Sequence, residues 1–136
     1  MTLPSILADN PRLDRWLNFA AAGKVEVSTG RVELGQGVLT AMTQIAAEEL
    51  DVAFERITVR SGDTDRTPNE GYTAGSQSMQ AGSVALRAAC AETRALFSKR
   101  PRSALAAPPR NSWCATAAFC ATVKRRSLTI GRSRQP

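Results

Sequence analysis

Two short segments have the residue types to do chemistry: Gly35-Gln36-Gly37, and Thr73-Ala74-Gly75-Ser76-Gln77-Ser78. The first stands where an extended run gives way to a helical one. Its glycines let a backbone approach a ligand closely, and the helix behind it opens with N–H groups that no earlier carbonyl can accept. The second sets a glycine and the hydroxyls of Thr73, Ser76 and Ser78 beside another helix start. Two such ends suit a ligand with several anionic oxygens, such as a pyrophosphate. A turn and a cap without any ligand would look the same, so spacing alone leaves both readings open. A dinucleotide fingerprint is excluded. Glu55 lies 20 residues beyond Gly35, but Thr40 stands where the third glycine belongs. No phosphate-loop lysine follows either.

Composition removes other chemistries. The 136 residues contain no histidine, so Ser–His–Asp and Cys–His nucleophiles are absent and a zinc site is disfavoured. The cysteines, Cys90, Cys114 and Cys120, are odd in number and show no Cys-x-x-Cys spacing, which points to a reducing compartment. No apolar run is long enough for a membrane span, and the N-terminus lacks a basic export signal, so the expected location is the cytoplasm. The net charge of +6 is unevenly placed. Residues 1–97 hold nine Lys/Arg and all twelve Asp/Glu, a balance of −3, whereas residues 98–136 hold nine Lys/Arg and no acid, a balance of +9. The high isoelectric point therefore describes a tail.

The elements that must position the two segments can be read from periodicity. Residues 1–22 form a lead-in punctuated by Pro4 and Pro11, with Trp16, Leu17 and Phe19 to dock it. Residues 24–34 read as extended, with a turn or bulge at Gly30. A helix follows over about 38–50, its stripe formed by Leu39, Met42, Ala46 and Leu50 and widened by Val38 and Ile45, with Glu48 and Glu49 as a solvated end. Residues 56–60 alternate as a second strand. Residues 61–75 form a polar loop in which Asp63 and Asp65 act as loop acceptors. A second helix is expected from 77 to 97 with Ser76 as its N-cap and Met79, Ser83, Leu86, Cys90 and Phe97 inside. Met42, Met79 and Cys90 are read as core. The resulting fold class is α+β: strand–helix–strand–helix, a small sheet with two helices on one face.

The run from Thr29 to Thr40 resembles the Gly-Gln-Gly segment of the molybdopterin-binding subunits of the xanthine oxidase and aldehyde oxidase family. The similarity continues through Gln44-Ile45-Ala46-Ala47-Glu48-Glu49-Leu50-Asp51-Val52, then Ser61-Gly62-Asp63-Thr64, Thr67-Pro68-Asn69-Glu70-Gly71, the Thr73–Ser78 segment, and Ala85-Leu86-Arg87-Ala88-Ala89-Cys90-Ala91-Glu92. Residues 10–16 resemble the start of bacterial isoquinoline- or nicotinate-dehydrogenase-type large subunits. The resemblance implies part of a molybdenum-cofactor-binding domain in a molybdenum hydroxylase acting on N-heterocycles or aldehydes. It implies that Gln36 matches a glutamine donating to an oxo ligand of molybdenum, and that Gly35 and Gly37 let the backbone crowd the cofactor. It also implies that Thr73, Ala74, Gly75, Ser76, Gln77 and Ser78 line the pterin and its phosphates. In bacterial members the cofactor is often the cytosine dinucleotide form. Iron–sulfur clusters are implied only on a partner subunit.

The resemblance also marks what this stretch does not supply. The family's catalytic base is a glutamate near the far end of the large chain. Glu26, Glu33, Glu48, Glu49, Glu55, Glu70 and Glu92 all lie outside that context, so no catalytic residue and no metal ligand is assigned here. The expected organisation is a lead-in (1–22), a partial cofactor-binding domain (23–97) and a basic tail (98–136). The chain is thus expected to be an inactive fragment, completed by the remainder of the large subunit. The tail is rich in Ala, Arg, Ser and Pro, with too few large apolar residues to offset the entropy of ordering it, so it is expected to be disordered. Acid-free text of this kind is what a GC-rich gene yields out of frame, and a frameshift is the expected origin. The rival reading is a non-catalytic anion-binding module whose tail binds nucleic acid or anionic membrane. Its scattered basic residues and few aromatics argue against it.

Overall fold

The computed structural model describes residues 3–19 and 23–98. Most of the expected basic tail, residues 99–136, lies outside the described residues. The elements run α1 (Ser5–Asp9), β1 (Leu17–Asn18), β2 (Val25–Thr29), α2 (Val38–Leu50), β3 (Ile57–Ser61) and α3 (Ser83–Ser98). Single 3-10 turns cover Leu13–Arg15 and Phe54–Arg56, and a π turn, Ser78–Gly82, leads into α3.

The sheet has the order β1-β2-β3. β2 and β3 are parallel, pairing Val25 with Ile57, Val27 with Val59 and Thr29 with Ser61. A parallel pair needs a crossover, and α2 supplies it. β1 is antiparallel to β2 through Leu17 opposite Val27. A two-residue strand carries no period, which is why periodicity alone does not separate it from the lead-in.

Alternation sorts the two faces of the sheet. Val25, Val27 and Ile57 enter the core with Met42, Ala46 and Leu50 of α2 and Ala85, Leu86, Ala89 and Cys90 of α3. The alanines keep both helices slim where α2 and α3 pack together. The other face is polar, and there Arg60 binds both carboxylate oxygens of Glu26 at 2.9 and 3.0 Å. This is the expected α+β arrangement. The lead-in belongs to the same core: Leu7, Leu13, Trp16 and Leu17 are buried in it, and the Trp16 indole donates to the Asn10 carbonyl at 3.0 Å. Phe19 meets Phe97 edge-on, with ring centroids 5.3 Å apart.

Three expectations are corrected. The extended run ends at Thr29, not at 34, because the next N–H groups leave the ladder for side chains. Met79 is 46% exposed, since the π turn rotates it away from the stripe that buries Ser83, Leu86 and Cys90. Glu49 does not simply face solvent. It accepts from Arg87 and so links α2 to α3.

Burial raises the Cys90 thiol to about 12, with the Glu49 charge adding to the effect. At neutral pH it holds almost no thiolate. Residue-resolved mass spectrometry after iodoacetamide treatment should therefore find Cys90 unlabelled in the folded chain and fully labelled in urea. Labelling at the same rate in both states would contradict this packing.

Candidate functional site

The site is built on two loops, residues 30–37 and 62–77, that leave the same end of the parallel pair. What joins them is a set of buried polar contacts. Glu70 reaches across to accept from the Thr29 hydroxyl at 2.5 Å and from the Gly30 N–H at 2.6 Å. Arg31 folds inward beside it, with its Nε 3.8 Å from Glu70 Oε1; the two side chains are 2% and 0% exposed. The guanidinium also donates to the Tyr72 carbonyl. Val32 donates its N–H to the Thr73 hydroxyl at 3.0 Å, and the Ser61 hydroxyl donates to the Arg31 carbonyl at 2.7 Å. The lead-in braces the same loop from outside. The Asn10 side chain donates to the Asn69 carbonyl and accepts from the Asn69 N–H, both at 2.9 Å.

Glycines make room for this arrangement. A Cβ on Gly30 would stand 2.6 Å from the Pro68 carbonyl oxygen, and one on Gly82 would stand 2.7 Å from Glu70 Oε1 and 3.2 Å from Arg31 Nε. The spacing motifs give no sign of Arg31, Glu70, Gly30 and Gly82 as a unit. An arginine directly after a strand and a glutamate in a Pro-Asn-Glu-Gly loop read as surface charges until the fold brings them together.

The loops that carry the two segments singled out by sequence are thereby tied together at their bases. Gly35, Gln36 and Gly37 are exposed, as are Ala74, Gly75, Ser76 and Gln77. Gly35 (φ +93°), Gly37 (φ +73°) and Gly75 (φ +57°) have nothing within 4 Å of where a Cβ would stand, so open space lies directly against their backbones. Two residues of the set turn away from that space. Ser78 is buried, and Thr73 has its hydroxyl engaged by Val32. Ser76 does not cap with its side chain. It takes the left-handed conformation, φ 59°, and its carbonyl accepts from the Met79 and Gln80 N–H groups.

The two helix starts differ electrically. The Glu33 carboxylate occupies the start of α2, accepting from the N–H groups of Gly35 at 2.9 Å, Gly37 at 2.8 Å and Leu39 at 3.2 Å. Those bonds, led by Leu39 and Gly37, hold its carboxyl below the usual range. They are present at neutral pH and are lost only as acid protonates Glu33. The Gln36 amide is also engaged, donating to the Val32 carbonyl at 3.0 Å and accepting from the Leu34 N–H. Around residues 74–77, by contrast, no hydrogen bond among the described residues engages the N–H groups of Ala74, Gly75 or Ser76, or the side chains of Ser76 and Gln77. Open donors beside glycine backbone suit an oxyanion-bearing group such as the phosphate of a pterin cofactor. No group of three or more His, Cys, Asp or Glu that could hold a metal occurs among the described residues.

Gly30→Ala and Gly82→Ala should each lower the unfolding free energy by about 1–3 kcal/mol, the usual cost of overpacking. Ser76→Ala, at an exposed hydroxyl, should stay within about 0.5 kcal/mol. Urea unfolding midpoints would check this. Equal effects at all three positions would contradict the described packing.

Comparison with known proteins identifies the family. A family model described as the molybdopterin cofactor-binding domain matches residues 6–133, beyond Phe97, where the resemblance read from the sequence stops. The chain is 39% identical over 87 residues to one of the subunits of nicotinate dehydrogenase from Pseudomonas putida, covering 64% of this chain and 7% of that protein. It is 35% identical over 97 residues to xanthine dehydrogenase of Calliphora vicina, covering 71% of this chain and 7% of that one. It is 41% identical over 64 residues to the beta chain of isoquinoline 1-oxidoreductase from Brevundimonas diminuta, covering 46% and 8% respectively. The chain thus spans less than a tenth of the length of these relatives. No solved structure matches it. By this family match and these relatives, the chain belongs to the molybdopterin cofactor-binding domain family of the molybdenum oxidoreductases.

Proposed function

We propose that this chain contributes one wall of a molybdopterin site in a hydroxylase that oxidises N-heterocycles or aldehydes. Gly35, Gln36, Gly37, Thr73, Ala74, Gly75, Ser76, Gln77 and Ser78 make up that wall, in unequal roles. The N–H groups of Ala74, Gly75 and Ser76, the Ser76 hydroxyl and the Gln77 amide hold phosphate oxygens, including the second phosphate of a cytosine dinucleotide form. Gly35 and Gly37 admit the cofactor close to the backbone, and Thr73 and Ser78 hold the segment's shape from within. Gln36 donates one amide N–H to the Val32 carbonyl and keeps its second for the cofactor. When bound, the cofactor supplies the two-electron oxidation chemistry, and the protein supplies binding and orientation.

The observation that supports this reading is the tie that Glu70, Arg31 and Thr73 make between the two loops that carry these segments. The relatives include subunits of multi-subunit dehydrogenases. An iron–sulfur subunit to receive electrons is accordingly the proposed partner, in the cytoplasm. No helix among the described residues is long and apolar enough to cross a membrane. Turnover is expected only when the remainder of a large subunit, with its catalytic glutamate, joins this stretch.

The test is molybdenum and pterin content after co-expression with an iron–sulfur subunit in a host that makes the cofactor. Metal and pterin should co-purify with the chain, and Gly75→Val, which fills the open space, should reduce both about ten-fold, as expected for roughly 1.4 kcal/mol of lost binding. A chain that never carries either would refute the reading.

A further inference from the structure

The Gly-Gln-Gly turn has no packing behind it. Gly35 and Gly37 have open space where a side chain would stand, and residues 33–37 are all exposed. Yet both glycines hold a left-handed conformation, which needs something to select it. That something is the carboxylate of Glu33. Its Oε1 accepts from Gly35 and Gly37 at 2.9 and 2.8 Å, and its Oε2 accepts from Leu39 at 3.2 Å. One side chain therefore binds the residue two ahead, the residue four ahead and the first turn of α2. Within the loop so drawn, the Gln36 amide closes on Val32 and Leu34.

We propose that Glu33 is the positioning residue of this turn: it folds residues 35–37 against the first turn of α2 and so fixes where Gln36 and the two glycine backbones stand. The functional meaning rests on the cofactor reading above, but the geometry does not. Because Glu33 fills the start of α2, an anionic ligand takes its hydrogen bonds from residues 74–77. The glycine turn then offers shape and close approach, not charge. The two segments, each a glycine-bearing run ahead of a helix, are thereby assigned different tasks.

Residue-resolved amide hydrogen exchange on the full 136-residue chain tests this. Glu33→Gln keeps the size but loses the charge and one acceptor. It should speed exchange at Gly35, Gly37 and Leu39 about ten-fold or more, as expected for losing charge-assisted hydrogen bonds. Amides of Met42 and Ala46 should be unchanged, showing the core intact. Glu33→Asp, charged but shorter, should recover protection at Gly35 or Gly37 and not at Leu39. Glu48→Gln, an exposed charge at the far end of α2, should alter none of them. Unchanged exchange at all three amides in Glu33→Gln would overturn the proposal.

Cofactor content of the same proteins separates the two claims. If the wild-type chain holds no cofactor but Glu33→Gln loses protection, the cofactor reading fails and the role in the turn stands. If the wild-type chain holds cofactor and the variant keeps its protection, the role in the turn fails alone.

Discussion

The loops at one end of the parallel pair depend on one buried ion pair. Arg31 and Glu70 leave water almost completely, which costs several kcal/mol per charge before any attraction is counted. Neither is fully compensated: Arg31 Nε and Glu70 Oε1 have no hydrogen-bond partner among the described residues. What the pair achieves is specificity. The far oxygen of Glu70 is fixed by Thr29 and Gly30, and the guanidinium is fixed by Tyr72, so the loop after β2 and the loop after β3 are tied together. A hydrophobic pair of equal volume could fill the same space, but it could not read the backbone on both sides.

This constraint explains why the strand stops where it does. Thr29 is the last β2 residue because Gly30, Arg31 and Val32 donate their N–H groups to the carboxylate of Glu70, the hydroxyl of Thr29 and the hydroxyl of Thr73. Each of these bonds replaces a rung of the sheet. The open space beside Gly35, Gly37 and Gly75 follows, because the polypeptide closes beneath the loops and leaves their outer side bare. Leu34 and Tyr72, in the same two loops, are 71% and 91% exposed.

Most of the framework was legible from sequence because it follows two simple periods. Val25, Val27 and Ile57 alternate, and Met42, Ala46 and Leu50 recur at helical spacing, so the strand–helix–strand core could be anticipated. The candidate segments were legible as glycines and hydroxyls at helix starts. Their division of labour was not. That Glu33 would turn back onto the start of α2 and that Ser78 would be buried are outcomes of side-chain placement, on which spacing is silent. Met79 was misplaced because a π turn shifts the helical phase by one residue, and no composition signal announces it. The Arg31–Glu70 pair was invisible for a related reason: charged residues default to the surface, and only tertiary contact overrides that default.

Arg31 and Glu70 act together to tie the two loops. A double-mutant cycle measures this directly, comparing Arg31→Met, Glu70→Gln and the double variant by urea unfolding. Each single change strands a buried partner and should cost about 3–5 kcal/mol. The double change should cost less than their sum by more than about 1 kcal/mol, because neither charge is then left alone. Strict additivity within about 0.5 kcal/mol would mean the two residues act independently, and the account of a joined site would be wrong.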